Sequence, residues 1–259
     1  MSKIVAIIQA RTGSTRLPKK VLEKIAGKPM LWHVIDRVKN TKLVNEVVLA
    51  TTSEEEDNPL LKLAEKSGVR GYVGSGDDVL DRYFQAATKF DADVIVRITA
   101  DCPLIDSEIT DKVIKCFLED DFDYVSNTVK LSYPDGLDVE VFSYDALKKA
   151  WKKAKKSSER EHVTPYIKNH PELFKIGSVG HERDLSHMRW CVDTERDLRF
   201  VREVYKQLYK KGEIFLMKDV LELLEKHPEL MEINKGVTRN EGYFKSLKEE
   251  KPLNDRGLR

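Results

Sequence analysis

The chain has 259 residues, of which 45 are Lys or Arg and 44 are Asp or Glu, so its formal net charge is +1. This balance argues against a general nucleic-acid or membrane-surface binder, and we expect neither partner. No apolar run approaches the ~20 residues that a membrane span needs. The three cysteines form neither a CxxC pair nor an even disulfide framework, so we expect a reduced, cytoplasmic protein.

Short apolar segments alternate with amphipathic ones through the first half of the chain. This alternation predicts an α/β fold with one Rossmann-like, mostly parallel sheet covered by helices on both faces. The predicted strands are Lys3–Gln9, Glu46–Ala50, Arg70–Val73 and Asp93–Ile98. The predicted helices are Pro29–Lys39, Asp57–Lys66, Asp77–Phe90 and Ser107–Glu119. Ligands of such sheets bind at the carboxyl ends of the strands.

The second half of the chain is less regular. Its predicted strands are Asp123–Ser126, Leu137–Phe142, Leu173–Val179 and Met188–Asp193. Its predicted helices are Tyr144–Lys155, Glu159–Asn169, Thr194–Lys211 and Leu216–Glu225. From His227 onward the chain is polar, which is typical of a surface extension. We therefore predict one α/β domain over residues 1–212, with a helical and polar C-terminal extension, residues 213–259, packed on it.

A basic loop follows the first predicted strand and therefore lies at the carboxyl edge of the sheet. Between Gln9 and Lys20 it contains two Arg, two Lys, one Gly and three hydroxyl residues. Gly13 permits a turn whose backbone N–H groups can cradle phosphate oxygens. Arg11 and Arg16 can grip phosphates with a forked geometry, and a lysine adds a point charge. The alternative is an ordinary basic surface loop, and the spacing of a Walker A loop is absent.

The loop resembles the N-terminal signature of the CMP-sugar synthetases, the cytidylyltransferases that activate 3-deoxy-manno-octulosonate and acylneuraminate. The matching pattern is Ala10-Arg11-x-x-Ser14-x-Arg16-Leu17-Pro18-x-Lys20, followed by Ile25–Met30. The spore-coat polysaccharide biosynthesis protein F branch is the most similar, because it shares the further segments Asp77–Arg82, Asp101–Leu104 and Tyr133–Glu140. The resemblance implies a fold of the nucleotide-diphospho-sugar transferase type.

The resemblance also implies a role for the basic loop. In the family this loop wraps the triphosphate of CTP, and the lysine two positions after the proline is the important one. The implied catalytic residues of the loop are Arg11 and Lys20. The implied nucleotide-binding residues of the loop are Ala10, Arg11, Gly13, Ser14, Arg16 and Lys20.

Two aspartates end apolar segments. Asp101 follows a central strand at the edge that carries the basic loop, where a carboxylate would repel a nucleotide unless a cation lay between them. Mg²⁺ is the natural cation, because it accepts one or two carboxylates together with phosphate oxygens. The resemblance makes Asp101 and Asp193 catalytic residues and the two metal ligands. The alternative is that Asp101 caps a helix or forms a structural ion pair, and that Asp193 or Thr194 merely caps the following helix.

Two further strand ends are expected to border the cytosine base of the nucleotide. Thr51 lies at the end of the second predicted strand, and Gly74-Ser75-Gly76 closes the third. The Gly-x-Gly pattern lacks the third glycine of a dinucleotide fingerprint. The resemblance assigns Thr51, Gly74 and Ser75 to the base, and turn chemistry is the alternative for each.

The acceptor site is expected around the Tyr133–Glu140 segment. Asp138 and Glu140 lie on one face of a predicted strand, and the alternative to a binding role is that this face is simply exposed to solvent. The resemblance places this segment around the acceptor, and the implied acceptor-binding residues are Asp135, Asp138, Glu140, Arg160 and His162. Carboxylates can hydrogen-bond sugar hydroxyls or amines, but they repel a sugar acid unless the positive charge of a basic residue offsets theirs. The candidates for such a residue are Arg97, Arg160, His162 and Lys168. A lone histidine such as His162 is more often structural.

The resemblance therefore implies a Mg²⁺-dependent nucleotidyltransferase. It would transfer CMP from CTP to a sugar acid or a related small acceptor with release of pyrophosphate, in surface polysaccharide or glycoconjugate biosynthesis. A glycosyltransferase that uses a finished nucleotide-sugar and a non-catalytic nucleotide-binding subunit remain open alternatives. The resemblance also implies a homodimer.

Overall fold

A seven-stranded sheet crosses the centre of the protein in the computed structural model, which describes residues 2–237, 239 and 241–250. The strands of the chain are β1 (Ile4–Gln9), β2 (Lys24–Ile25), β3 (Lys28–Pro29), β4 (Glu46–Thr52), β5 (Arg70–Gly74), β6 (Val94–Thr99), β7 (Tyr124–Ser126), β8 (Glu140–Ser143) and β9 (Ile176–Ser178). The sheet has the order β5-β4-β1-β6-β8-β7-β9, and β2 and β3 form a separate two-stranded ribbon.

Parallel pairing brings the ends of the first strands to one edge. Strand β1 pairs in parallel with β4 and β6, and β4 pairs in parallel with β5. Strand β8 is antiparallel to both β6 and β7, and β9 is parallel to β7. The carboxyl ends of β1, β4, β5 and β6 therefore meet at the same edge. The basic loop begins at this edge, and Asp101 lies there.

Helices cover both faces of the sheet. They are α1 (Met30–Lys39), α2 (Asn58–Lys66), α3 (Val79–Lys89), α4 (Ser107–Glu119), α5 (Tyr144–Lys153), α6 (Ser157–His162), α7 (Pro165–Lys168), α8 (Glu195–Leu208), α9 (Met217–Lys226) and α10 (Glu241–Lys248). Successive residues of β1 point to opposite faces. Ala6 and Ile8 belong to a core with α1, α2, α4, α8 and α9, whereas Val5 and Ile7 belong to a core with α3 and α5.

The predicted α/β fold with a mostly parallel sheet is confirmed, as are the helices near the C-terminus. Helix α9 packs into the same core as β1, through residues such as Val220 and Leu224. The division into residues 1–212 and 213–259 stays a prediction. Residues 238, 240 and 251–259 of the predicted extension lie outside the described residues.

Two predicted elements of the second half are wrong. The predicted strand Met188–Asp193 forms only a single parallel bridge, between Arg189 and Asp135. Its backbone hydrogen bonds are divided between two segments, because the amide of Trp190 donates to Asp135 while that of Val192 donates to Asp101. No continuous ladder results.

The predicted helix Glu159–Asn169 is two short helices, α6 and α7. The break falls at Val163, whose φ of 70° lies in the left-handed region. Pro165 follows two residues later and begins α7. A proline has no N–H and its ring clashes with the carbonyl four residues before it, so it starts a helix more readily than it continues one.

Candidate active site

A wide cleft of about 1310 Å³ opens at the carboxyl edge of the sheet. It is lined by the end of β1 and the loop after it, the start of α3, the segment after β6, and residues of α6 and α10. The residues predicted from the sequence that line it are Ala10, Arg11, Gly13, Ser14, Arg16, Lys20, Asp101 and Asp193.

Lys20 lies between the two predicted metal ligands. Its Nζ donates to Oδ2 of Asp101 at 2.9 Å, to Oδ1 of Asp193 at 2.8 Å and to the carbonyl of Val192 at 2.8 Å. Burial lowers the pKa of Lys20, but the attraction of the two carboxylates outweighs burial and holds this pKa above its ordinary value. Burial likewise raises the pKa of Asp101, yet Lys20 and nearby hydrogen bonds bring it down to about 2. Lys20 and Asp101 are therefore both charged at neutral pH.

Asp193 also contacts two arginines. Nη2 of Arg16 lies 3.0 Å from Oδ1 of Asp193, and Nη2 of Arg189 lies 2.7 Å from Oδ2. The cap of α8 is Thr194, whose Oγ1 accepts from the amide of Asp197, while the Asp197 carboxylate accepts from the amide of Thr194. Because Thr194 and Asp197 form this cap, the carboxylate of Asp193 is left to line the cleft.

The backbone of the basic loop does not depend on Gly13. The φ of Gly13 is not in the left-handed region, and a Cβ built on it meets no atom of the described residues within 4 Å. The left-handed residue of the loop is Lys19, with φ 57°, immediately before the short 3₁₀ helix Lys20–Leu22. The turn that positions Lys20 is therefore made at Lys19 and not at the glycine.

Asp57 anchors the basic loop, a role that the sequence pattern does not predict. Its carboxylate accepts from the amide and the hydroxyl of Thr12, each at 2.7 Å, and from the hydroxyl of Thr52 at 2.5 Å. Burial raises the pKa of Asp57, but these hydrogen bonds outweigh burial and lower it. The sequence signal was weak, since Asp57 is one of several acidic residues ahead of α2.

The three residues predicted to bind the base are not among the described residues that line the cleft. Thr51 is fully buried at the end of β4. Ser75 contacts Arg82 of α3, whose Nη1 donates to the carbonyl of Ser75 at 2.5 Å, and a Cβ built on Gly74 would lie 2.9 Å from Cγ of Arg82. Arg82 itself lines the cleft. The assignment of Thr51, Gly74 and Ser75 to the base stays a prediction.

Glu140 and Arg160, predicted to bind the acceptor, are buried in ion pairs within the protein. The Glu140 carboxylate accepts from Tyr124 and Thr164, each at 2.6 Å, and pairs with Arg97. Burial raises the pKa of Glu140, but Lys168 and Arg97 lower it far below its ordinary value. Arg160 donates through Nε to both carboxylate oxygens of Asp78, at 3.0 and 2.9 Å.

The other three predicted acceptor residues also have partners within the protein. Asp135 pairs with Arg189 at 2.7 Å, and Asp138 pairs with Arg239 at 2.7 Å. His162 Nε2 lies 3.0 Å from Oγ of Ser246. The pKa of His162 is lowered to about 4, mainly by burial. None of the five is among the described residues that line the cleft, and their role at the acceptor stays a prediction.

Helix α10, which belongs to the extension predicted after His227, lines the cleft. Glu241 at its start pairs with Arg16, at 2.5 Å. Ser246 donates to the carboxylate of Glu161 on α6 at 2.7 Å. The helix thereby adds to the cleft residues that are far along the chain from β1 and β6.

The donor chemistry of the cleft fits a magnesium ion. Asp101 and Asp193 both approach Nζ of Lys20, so their carboxylates face one point. No group of three or more His, Cys, Asp or Glu side chains that could hold a metal occurs in the part of the chain that the structure describes. Two carboxylates suit Mg²⁺, which completes its shell with water and with phosphate oxygens of a substrate.

A family model described as cytidylyltransferase matches residues 5–241. The chain belongs to this family. The predicted family is therefore confirmed, and with it the class of nucleotidyltransferase enzymes. Among the described residues, no helix has the length and apolar character to cross a membrane.

Similar proteins support the assignment over nearly the whole chain. An uncharacterised protein of Methanocaldococcus jannaschii is 40% identical over 91% of this chain and 96% of its own. The spore coat polysaccharide biosynthesis protein SpsF of Bacillus subtilis is 31% identical over 88% of this chain and 97% of its own. A solved cytidylyltransferase from Leptospira borgpetersenii superposes with a TM-score of 0.87 at 33% identity, covering 92% of this chain and all of that one. The predicted resemblance to the spore-coat branch is thus confirmed.

Proposed function

We propose that this cytidylyltransferase transfers CMP from CTP to a sugar acid or a related small acceptor and releases pyrophosphate, in the synthesis of a surface polysaccharide or glycoconjugate. The observation that carries the proposal is the contact of Lys20 with both Asp101 and Asp193 in one open cleft. These three residues are distant in the chain, and the cleft is large enough for a nucleotide and an acceptor together.

The basic loop would bind the triphosphate. Lys20, Arg16 and Arg11 line the cleft, and in this proposal they contact the phosphates and the departing pyrophosphate. The oxygen of an acceptor hydroxyl attacks the α-phosphorus, the bond from this phosphorus to the oxygen that bridges it to the β-phosphorus breaks, and pyrophosphate leaves with that oxygen. The proton of the hydroxyl passes to water. The reaction needs no protein nucleophile, because positioning and charge stabilisation account for most of the catalysis of such transfers.

Asp101 and Asp193 would hold Mg²⁺. The chemistry that the ion supplies when bound is neutralisation of charge on the phosphates. Arg16 and Lys20 already contact Asp193, so both cations stand where they can exchange a carboxylate for a phosphate oxygen. Arg189 holds the other oxygen of Asp193 and fixes the direction of this carboxylate.

A pyrophosphate-release assay tests the proposal. The full chain is incubated with CTP, with or without Mg²⁺, and with a panel of sugar acids, sugar phosphates and amino acids; mass spectrometry then identifies the CMP conjugate. We expect Mg²⁺-dependent release with at least one acceptor. Turnover of a finished nucleotide-sugar without release of pyrophosphate from CTP would instead indicate a glycosyltransferase. The homodimer and the cytoplasmic location remain predictions from the sequence.

A further inference from the structure

Helix α10 contacts two separate elements that line the cleft. At its start, Oε2 of Glu241 accepts from Nη1 of Arg16 in the basic loop, at 2.5 Å. Toward its end, Oγ of Ser246 donates to the carboxylate of Glu161 on α6, at 2.7 Å. All four of these residues line the cleft, so α10 connects two parts of its wall.

Polar contacts, and not a buried apolar face, hold α10 in place. None of the eight described residues of the helix is buried. Its apolar residues Phe244 and Leu247 line the cleft and remain exposed. A helix of this length is marginal by itself, because tertiary packing normally supplies most of the stability of a helix. Loss of the contacts at one end would therefore free that end.

The two ends of α10 are held unequally. On the side of α6, the ring of Tyr243 meets that of His162 edge-on, with centroids 5.0 Å apart. The carboxylate of Glu250, just after the helix, also accepts from the hydroxyl of Ser158. On the side of the basic loop, the pair at the start of the helix is the one ion pair or hydrogen bond to α10 in the described part of the chain. The start of α10 is thus its weaker attachment.

Arg16 carries a carboxylate on each arm of its guanidinium. Nη1 holds Glu241, and Nη2 lies 3.0 Å from Oδ1 of Asp193. In the proposed function the same donors bind the triphosphate. Carboxylates and phosphates both offer charged oxygen acceptors to a guanidinium, and the two anions repel each other. Glu241 and a triphosphate therefore compete for Arg16.

We propose that Glu241 forms an autoinhibitory contact with Arg16, which a triphosphate displaces, so that the start of α10 is released from the basic loop when the nucleotide binds. The inference rests on the proposed function, in which Arg16 binds the triphosphate of CTP. The released helix stays attached to α6 alone. By linkage, a contact that the ligand must break lowers the affinity for that ligand. The family model ends at the first residue of α10, so this helix lies outside the matched part of the chain.

Calorimetric titration of the full chain with inorganic tripolyphosphate and with CTP tests the competition. Glu241→Gln removes the carboxylate, and Glu249→Gln is the matched control, because Glu249 is an exposed glutamate of the cleft with no ion pair among the described residues. We expect Glu241→Gln to raise the affinity for both ligands roughly 2- to 5-fold, the range of an exposed ion pair. In an Arg16→Gln background the same change should have no effect, because the contact is already lost.

Limited proteolysis with trypsin tests the release of the helix. Lys245 and Lys248 are exposed but helical, and cleavage after them requires local unfolding. We expect tripolyphosphate to speed cleavage after both lysines, and Glu241→Gln to speed it without the ligand. Cleavage after Lys210, an exposed lysine outside α10, should not change.

Several outcomes would overturn the inference. Equal gains of affinity in Glu241→Gln and Glu249→Gln would reduce the effect to a general loss of negative charge. A gain that persists without Arg16 would remove the competition, and slower cleavage of α10 with tripolyphosphate would mean that the helix closes on the ligand. Both glutamates are exposed, so neither substitution should prevent folding.

Pyrophosphate release by the wild-type protein is measured separately. Release from CTP combined with an unchanged affinity of Glu241→Gln refutes only the autoinhibitory contact. Absence of CTP-dependent release refutes the proposed function.

Discussion

Replacing Lys20 with methionine removes the ammonium but keeps most of the volume of the side chain. The wild-type Nζ makes charge-assisted hydrogen bonds to two carboxylates and lies at the cleft. In the proposed reaction the same group meets the charge that develops on the departing pyrophosphate. Loss of one such preorganised donor costs about 2–4 kcal/mol, or roughly 30- to 1,000-fold in rate. The fall should be larger in kcat than in KM, since the charge on the leaving group develops in the transition state.

Lys19→Met is the matched control, because Lys19 is the exposed neighbour of Lys20. Steady-state pyrophosphate release with both variants separates the effect of the Lys20 ammonium from a general loss of positive charge. Lys20→Met should also lower the free energy of unfolding by about 1–3 kcal/mol, the cost of leaving a buried group without its partner. A folded Lys20→Met protein with wild-type kcat/KM would refute the role of this lysine.

Three further variants test how the site is held. Asp57→Asn should raise KM for CTP about tenfold in steady-state assays, because Thr12 loses a charged acceptor worth about 1.5 kcal/mol; an unchanged KM would contradict this. Arg189→Met should lower the free energy of unfolding by about 3–5 kcal/mol in denaturant titrations, since the buried carboxylates of Asp135 and Asp197 both lose an ion-pair partner, and Asp135 keeps Arg239 at 3.6 Å. Burial is the main cause that raises the pKa of Asp138 to about 6, so wild-type stability should fall as pH rises from about 4 to about 6. Asp138→Asn should therefore stabilise the protein above pH 7 by about 1–2 kcal/mol, after allowance for partial exposure, and have little effect below pH 4; equal effects on Tm at both pH values would refute this.

The convergence of Lys20 and Asp101 could be predicted because both follow parallel strands at the centre of the sheet. Parallel strands end at the same edge, and a residue that follows such a strand lies there whatever the remaining fold. Asp193 could be predicted only from its resemblance to a family motif. Its own segment carries a strand-like apolar pattern, but that segment hydrogen-bonds to two different partners and forms no strand.

The sequence could not predict which charged side chains pair with one another inside the protein. Arg97 was a candidate to offset the carboxylates around an anionic acceptor, and Glu140 was a candidate to bind the acceptor. Strand β8 pairs antiparallel with β6 in a register that places Arg97 opposite Glu140, and the two form a buried ion pair. That register depends on long-range pairing between strands, which local patterns do not contain.

Helix α10 was not predictable for a related reason. Its apolar residues Phe244 and Leu247 have helical i, i+3 spacing, but they are 53% and 41% exposed, so this spacing does not show where the helix packs. The helix is placed by polar contacts with distant residues, among them Arg16 and Glu161. Neither contact leaves a mark on the local sequence, and both bring α10 to the cleft.

The charged residues at the edge of the sheet therefore divide according to where their partners lie. Arg160 pairs with Asp78 inside the wall, so little of its charge remains available to a ligand. Lys20 is equally well paired, but its partners themselves line the cleft and can exchange the ammonium for another cation. Arg82 lines the cleft and forms no direct ion pair with a carboxylate of the described residues, although Asp57 and Asp78 lie close enough to raise its pKa. Residue type and strand-end position select these candidates, and the location of the counter-charge separates the ligand-binding residues from those that support the wall.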